Sequence, residues 1–203
     1  TLADHLTPAG ARAGSGIADV SRREDVERIA TTAIETWGRI DTWVNDAAVS
    51  IYGRLHEVGL EDARRLFDVN FFGAANAIHA VLPGMRARRS GSIVNLTSIG
   101  GIQGFAAVGY YSASKFALEA LTDSLRVELM PAGISVSIIE PGVIATPIWD
   151  TSLKHADSML QELPKAAMEY YGRIIGAVRE RAERGLREPG VWHPADRRGR
   201  APG

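Results

Sequence analysis

The sequence predicts a single α/β domain in which helices cover both faces of a doubly wound parallel sheet, so that the fold has three layers. Short apolar runs rich in Ile and Val alternate with longer segments of helical periodicity, as in proteins built from strand-helix-strand units. Glycine and proline stand between the two kinds of segment. With 203 residues, 45% apolar and 23% charged, the chain has the size and composition of one globular domain.

Four segments are predicted strands. Residues 40–44, 93–96 and 134–139 are short apolar runs bounded by turn residues, which is typical of buried strands. Residues 11–18 form a weaker candidate because two glycines interrupt them. Ligands of open parallel sheets bind outside the carboxyl ends of the strands, so the residues after these runs are candidates for a binding site.

Apolar residues at helical spacing predict the helices between these strands. Residues 21–24 have the pattern of a capping box, and the helix that they open has a buried stripe from Val26 to Trp37 and a stop at Gly38. Pro131 ends a later helix. The predicted helical segments are residues 1–10 (the end of a helix), 21–37, 60–88, 111–129 and 151–184.

The start of the 111–129 helix carries the chemically most informative pattern. Tyr111 and Lys115 are one turn apart, so an ammonium group can lie beside a phenol on the same face. A nearby cation favours the phenolate, and we therefore expect Lys115 to lower the pKa of Tyr111. Ser98, on the loop that leaves the 93–96 strand, offers a neutral hydroxyl to hold a substrate oxygen. Together the three residues predict an acid/base site for an alcohol or a carbonyl.

Composition excludes several other classes of function. A net charge of -1 argues against nucleic acid as a partner. The chain has no cysteine, which excludes disulfide and thiolate chemistry and favours the cytoplasm. No apolar run is long enough to predict a membrane span, and the five histidines lack the spacing of metal ligands, so neither a membrane nor a metal is expected.

The segment from Gly91 to Ser98, followed by Tyr111-Ser-Ala-Ser-Lys115, resembles the short-chain dehydrogenase/reductase family, whose members have a Rossmann-like fold. Three further segments agree with this resemblance. Asn45-Asp46-Ala47-Ala48 is similar to the family's Asn-Asn-Ala-Gly signature, from which it departs at Asp46 and Ala48. Asp68-Val69-Asn70 matches a segment in which the asparagine bends a helix, and residues 141–146 are similar to the segment that binds the nicotinamide carboxamide.

The resemblance implies a role for each matching residue. Tyr111 would donate or accept the proton, Lys115 would also hold the nicotinamide ribose, and Ser98 would orient the substrate oxygen. Asn70 would complete the proton relay. The implied cofactor-binding residues are Asp19 at the adenine, Val20, Asn45, Ala47, Ala48, Val69, Tyr111 and Lys115, with Pro141, Gly142, Ile144 and Thr146 bordering the nicotinamide.

One part of the family's fold has no counterpart in the sequence. If residues 11–18 are the family's third strand, the first strand-helix-strand unit is absent, and the resemblance implies that the loop that binds the pyrophosphate belongs to that unit. We expect this unit to be missing from the chain. The remaining sequence does not distinguish the two cofactors of the family, so the expected cofactor is either NAD(H) or NADP(H). The predicted divisions are a partial dinucleotide-binding domain at 1–185, which includes a substrate lid at 147–184, and a loose tail at 186–203.

The resemblance implies an oxidoreductase that interconverts an alcohol and a ketone or aldehyde by hydride transfer. Methionine and tyrosine side chains in the predicted lid suggest an apolar small molecule as substrate. Members of this family commonly pair through the helix that follows the catalytic tyrosine, so we expect a homodimer or homotetramer. The alternative is a non-catalytic relative that uses the dinucleotide fold for binding or regulation.

Overall fold

The computed structural model describes residues 12–142 together with Gly176 and Glu180. The chain separates into two units, residues 1–140 and 141–203, and the fold described below is that of the first. Several predictions lie outside the described residues: the helix end at 1–10, the tail at 186–203, and Ile144 and Thr146. So does the lid at 147–184, except that Gly176 and Glu180 are helical.

Three parallel strands form the sheet in the described part of the chain, in the order β1-β2-β3. They are β1 (Thr42–Asn45), β2 (Gly91–Leu96) and β3 (Ile134–Ile139), so the three stronger strand predictions are confirmed within a few residues. Asn45 is paired with Asn95, and Asn95 in turn with Ile138. This register aligns the carboxyl ends of β1 and β2, where the predicted site residues begin.

The fourth strand prediction is wrong. Residues 12–19 form no strand, and Ile17 within them is 95% exposed. A strand needs a neighbour to bond its backbone groups, and the described residues contain none for this segment, since the sheet ends at β1 on that side.

Four helices are described. They are α1 (Arg23–Trp37), α2 (Leu60–Phe67), α3 (Gly73–Arg88) and α4 (Gly109–Leu129). The predicted helix at 60–88 is divided by a π-helical turn, Asp68–Phe72, that joins α2 to α3. Short 3₁₀ turns at Ile99–Gly101 and Met130–Ala132 flank α4. None of the helices in the described ranges is long and apolar enough to span a membrane.

The start of α1 differs from the predicted capping box. Arg22 is the N-cap and its side chain makes no capping bond. The Ser21 hydroxyl donates to the carboxylate of Asp19, and its oxygen accepts no backbone N–H of the helix. The carboxylate of Asp25 accepts the backbone N–H of Asp19. The prediction failed because Asp19 competes for the serine. The predicted stop is confirmed, since Gly38 has a left-handed φ of 85°.

A single core joins the helices to one face of the sheet. It is formed by Ala30 of α1, Ile78, Val81 and Met85 of α3, Ile93 of β2, Leu125 and Leu129 of α4, and Ile134 and Val136 of β3. Trp37, predicted to be buried, is 44% exposed at the end of α1. In β3 buried residues alternate with exposed ones, and in β1 Val44 is 52% exposed.

The described residues therefore contain two of the three predicted layers. Successive right-handed crossovers that proceed in one direction along a sheet put their helices on the same face. The connections β1 to β2 and β2 to β3 follow this order, so α3 and α4 lie on the same face of the sheet.

Candidate active site

The predicted site residues gather at the carboxyl ends of β1 and β2, as the strand order requires. Five of them line a cleft there. The cleft is bordered by Val20, Val26, Trp43, Val44, Asn45, Asp46, Ala47, Asn70, Gly73, Ala74, Ala77, Leu96, Lys115 and Leu118. Five residues of the predicted site, from four separate segments of the sequence, thus meet in one place.

Lys115 is the buried cation of this cleft. Its side chain is 3% exposed, its Nζ donates to the carbonyl of Leu96 at 2.9 Å, and Nζ lies 5.8 Å from the centre of the Tyr111 ring. Burial lowers the pKa of Lys115 from 10.5 to about 8, while the carboxylate of Asp46 acts in the opposite direction. A cation held in this way can bind hydroxyl groups of a ligand.

Tyr111 and Ser98 are joined by a side-chain hydrogen bond. The pKa of Tyr111 is nevertheless raised, because burial of the phenol outweighs the lowering that this bond causes. The expectation that Lys115 lowers the pKa of Tyr111 is therefore wrong for this structure. The lysine ammonium bonds to the carbonyl of Leu96 at the end of β2. Tyr111 is accordingly a protonated phenol, which suits a proton donor.

A tight turn holds Ser98 against the tyrosine. Ser98 caps the 3₁₀ turn, and its Oγ accepts the backbone N–H of Gly100 at 3.1 Å. A Cβ atom on Gly100 would lie 3.2 Å from Cε1 of Tyr111. The absence of a side chain at this position lets the turn approach the ring closely.

Asn70 is buried in the π-helical turn, and its side chain uses both of its polar atoms. Its Oδ1 accepts the backbone N–H of Val49, and its Nδ2 donates to the carbonyl of Val49 and to Oγ of Ser114. Ser114 donates in turn to the carbonyl of Tyr111. Asn70 thus connects the loop after β1 to the first turn of α4. Its part in a proton relay stays a prediction, and so does the cofactor contact implied for neighbouring Val69, which is buried.

Asn45 belongs to a chain of side-chain hydrogen bonds inside the fold. Its Nδ2 donates to Oδ1 of Asn95, and Nδ2 of Asn95 donates to Oγ1 of Thr122. The indole N–H of Trp43 donates to Oδ1 of Asn45. Sequence reasoning missed Asn95, although a polar residue within a buried strand, in register with a predicted site residue, was a usable signal.

Asp19 is held by two groups that the sequence did not connect with it. Its carboxylate accepts the backbone N–H and the hydroxyl of Ser21, and it forms an ion pair of 2.8 Å with Arg65. These hydrogen bonds, with Ser21 the larger contributor, lower the pKa of Asp19 to about 2. Its predicted contact with adenine stays a prediction. Val20, beside it, lines the cleft.

Some predicted residues do not border the cleft, among them Ser98, Tyr111, Asp19 and Val69. Ala48 is partly buried but does not border it. Pro141 and Gly142 follow β3 and belong to the second unit. Ile144 and Thr146 lie outside the described residues. The nicotinamide contacts assigned to these four positions by resemblance stay predictions.

A parallel sheet with a cleft at its carboxyl ends, next to a Ser, Tyr and Lys set, defines a dinucleotide-binding class of protein. The family model described as short chain dehydrogenase matches residues 1–157. The chain therefore belongs to the short-chain dehydrogenase family, and the predicted family is confirmed.

Two relatives and two solved structures illustrate the match. The uncharacterised oxidoreductase YxnA of Bacillus subtilis is 42% identical over 166 residues, which cover 80% of this chain and 46% of the relative. Human retinol dehydrogenase 8 is 43% identical over 109 residues, which cover 54% of this chain and 35% of the relative. The chain thus spans less than half the length of either relative.

The solved structures are ElxO with NADP bound and an NAD⁺-bound xylitol dehydrogenase. ElxO is 32% identical with a TM-score of 0.62, and the match covers 69% of this chain and 56% of that one. The xylitol dehydrogenase is 27% identical with a TM-score of 0.71, and the match covers 75% and 60%. The Rossmann-like fold is thereby confirmed, and of the two neighbours one binds NADP and the other NAD⁺.

Proposed function

We propose that the complete protein is an NAD(P)-dependent oxidoreductase that interconverts an alcohol and a ketone or aldehyde. The observation that carries this proposal is the contact of Ser98 with Tyr111 beside the buried ammonium of Lys115. Positioned acid/base groups of this kind contribute typically 10²–10⁴-fold to a rate.

The cleft suits one end of a nicotinamide dinucleotide. Its donor set, the ammonium of Lys115 and the amide of Asn45, matches ribose hydroxyls, and Ala47 leaves room for a close approach. These residues would hold the cofactor, which supplies hydride transfer when bound.

The protein's own residues supply the proton and the alignment. In the direction of reduction, Tyr111 gives its phenolic proton to the substrate oxygen while the carbonyl carbon receives the hydride, so the C=O bond becomes an alcohol. Ser98 donates a hydrogen bond to the same oxygen and holds it next to the phenol. Lys115 would hold the ribose of the cofactor beside the phenol, since its ammonium lies 5.8 Å from the centre of the Tyr111 ring. Orientation of the two reactants provides much of the remaining acceleration.

An apolar substrate and a homodimer or homotetramer complete the proposal. Similarity to a retinol dehydrogenase favours an apolar alcohol or carbonyl. Phe72, Phe116 and Val127 are large apolar side chains exposed near or on α3 and α4, and they favour a second copy of the chain as the partner. The lack of cysteine favours the cytoplasm.

The test compares two adjacent tyrosines in the complete protein. Tyr111→Phe removes the proton donor and is expected to lower kcat at least 100-fold, with NADH and NADPH affinity, read by fluorescence, changed less than threefold. Tyr110→Phe is the matched control, because Tyr110 lies about 100° away around the helix, and it is expected to keep full activity. A panel of apolar ketones and secondary alcohols supplies the substrates.

Two outcomes would decide against this function. Equal activity of Tyr111→Phe and the parent enzyme would remove the mechanism. Tight NAD(H) or NADP(H) binding without turnover of any ketone or alcohol would instead favour the alternative, a non-catalytic protein that uses the dinucleotide fold for binding.

A further inference from the structure

Glu119 lies one turn beyond Lys115 on α4 and contacts the segment that carries Ser98 on both sides. Before the serine, Oε1 of Glu119 accepts the hydroxyl of Thr97 at 2.5 Å. After the serine, the Glu119 side chain lies against Gly101, where an added Cβ would be 3.1 Å from its Cγ and 3.2 Å from its Oε1. One carboxylate side chain therefore touches the residue before Ser98 and the turn that follows it.

The other restraints on this segment come from the strand and from the turn itself. The backbone N–H of Thr97 donates to the carbonyl of Ile139 in β3 at 2.8 Å, and the N–H of Gly101 donates to the carbonyl of Ser98 at 2.8 Å. These bonds fix the segment to the sheet and fix its internal shape. The bond from Thr97 to Glu119 joins the segment to α4, as do the bonds of Lys115 to Leu96 and of Tyr111 to Ser98, and it does so at the residue directly before the serine.

We propose that Glu119 is a positioning residue that sets the separation of the Ser98 hydroxyl from the Tyr111 hydroxyl by holding Thr97 and the Ile99–Gly101 turn against α4. The inference rests on the proposed function and extends it to a residue that does not border the cleft. Hydrogen bonds to a carboxylate are shorter and about twice as strong as neutral ones. A displacement of about 1 Å in a catalytic group can lower a rate by about 10²-fold.

The first experiment measures kcat in the complete protein. Glu119→Ala is expected to lower kcat about tenfold, because Thr97 and the turn lose their connection to α4. Glu119→Gln keeps a carbonyl oxygen that accepts the Thr97 hydroxyl, and it is expected to stay within threefold of the parent. The matched control is Glu128→Ala, an exposed glutamate of the same helix, which is expected to change nothing.

The second experiment tests whether Glu119 acts through Ser98. In a Ser98→Ala background there is no hydroxyl left to position. Adding Glu119→Ala to this background is therefore expected to lower kcat by less than twofold. NADH and NADPH affinity is expected to stay within threefold throughout, because Lys115 keeps its place. Thr97→Val removes the bond to Glu119 together with the hydroxyl's weaker bond to the carbonyl of Ile139, with little change of shape. It is expected to lower kcat at least as much as Glu119→Ala and to show the same interaction with Ser98→Ala.

If Glu119→Ala lowers kcat tenfold both in the parent and in Ser98→Ala, the inference is overturned. A merely structural effect would lower kcat by the same factor in both backgrounds. Full activity of Thr97→Val would overturn it as well, and this variant serves if Glu119→Ala does not fold. Neither result affects the proposed function while Tyr111→Phe remains inactive. If Tyr111→Phe and Ser98→Ala are both fully active, the function and the inference fail together.

Discussion

Replacing Lys115 by methionine is expected to make the cofactor-free protein more stable at neutral pH while abolishing activity. The ammonium is 3% exposed, and its pKa falls from 10.5 to about 8. At 1.36 kcal/mol per pKa unit, keeping this cation buried at pH 7 costs about 3 kcal/mol. Lys115→Met removes that cost but leaves the Leu96 carbonyl without its donor, which costs about 1–2 kcal/mol. The expected net gain is about 1–2 kcal/mol.

The pH dependence gives the sharper measurement. Below about pH 8 the lysine is charged in both the folded and the unfolded state, so the full cost applies. As the pH rises above 8 the folded state loses the proton first, and the parent gains stability relative to Lys115→Met, by about 2 kcal/mol at pH 9.5. Urea unfolding of both proteins from pH 7 to 9.5 measures this change.

A surface cation provides the control for this measurement. Arg23→Met removes an exposed charge on α1 that is paired with Glu27, and it is expected to change stability by less than about 1 kcal/mol at every pH. If Lys115→Met is less stable than the parent at pH 7, by the same amount up to pH 9.5, then burial of the ammonium carries no such cost and the reasoning fails.

Three further predictions concern neighbouring positions. Asn95→Ala is expected to lower the free energy of unfolding by about 2–4 kcal/mol, because the buried Thr122 and the half-buried Asn45 lose their hydrogen bonds to it; a urea midpoint equal to the parent's would contradict this. Asp46→Asn removes the carboxylate that raises the pKa of Lys115, so the loss of NADH affinity at alkaline pH, followed by fluorescence, is expected to begin at lower pH. Ala107→Gly is expected to stabilise the protein by about 1 kcal/mol in thermal unfolding, because Ala107 has a φ of 66°; a lower midpoint would disprove it.

Periodicity and turn residues were sufficient for most of the fold. The three strands and α4 were predictable because each is a long enough run of one pattern. The spacing of Tyr111 and Lys115 also predicted their shared place, because a helix brings residues four apart to one face. Residues 12–19 failed as a strand because strand formation depends on a neighbour, which a local pattern does not report.

The pKa shifts and hydrogen-bond partners of the site residues were less predictable from the sequence than the list of residues that form the site. The direction of the pKa shift of Tyr111 depends on how deeply the phenol is buried. The spacing of Tyr111 and Lys115 in the sequence does not indicate the depth of burial. The partners of Asn70 and Asp19 could not be found either, since Val49 and Arg65 are distant in sequence. Contacts of this kind follow only from the packed arrangement of strands and helices.

The π-helical turn at Asp68–Phe72 makes the structure sensitive to the insertion or deletion of a residue in this part of the chain. A π turn contains one residue more than an α-helical turn would use for the same advance, and deletion of that residue would leave α2 and α3 as one regular helix. The shortened helix would be locally unstrained, yet it would rotate the amide of Asn70 by about 100° away from Val49. Insertions and deletions should therefore be tolerated in the surface loops but not here, and length variation among related sequences offers a direct way to see it.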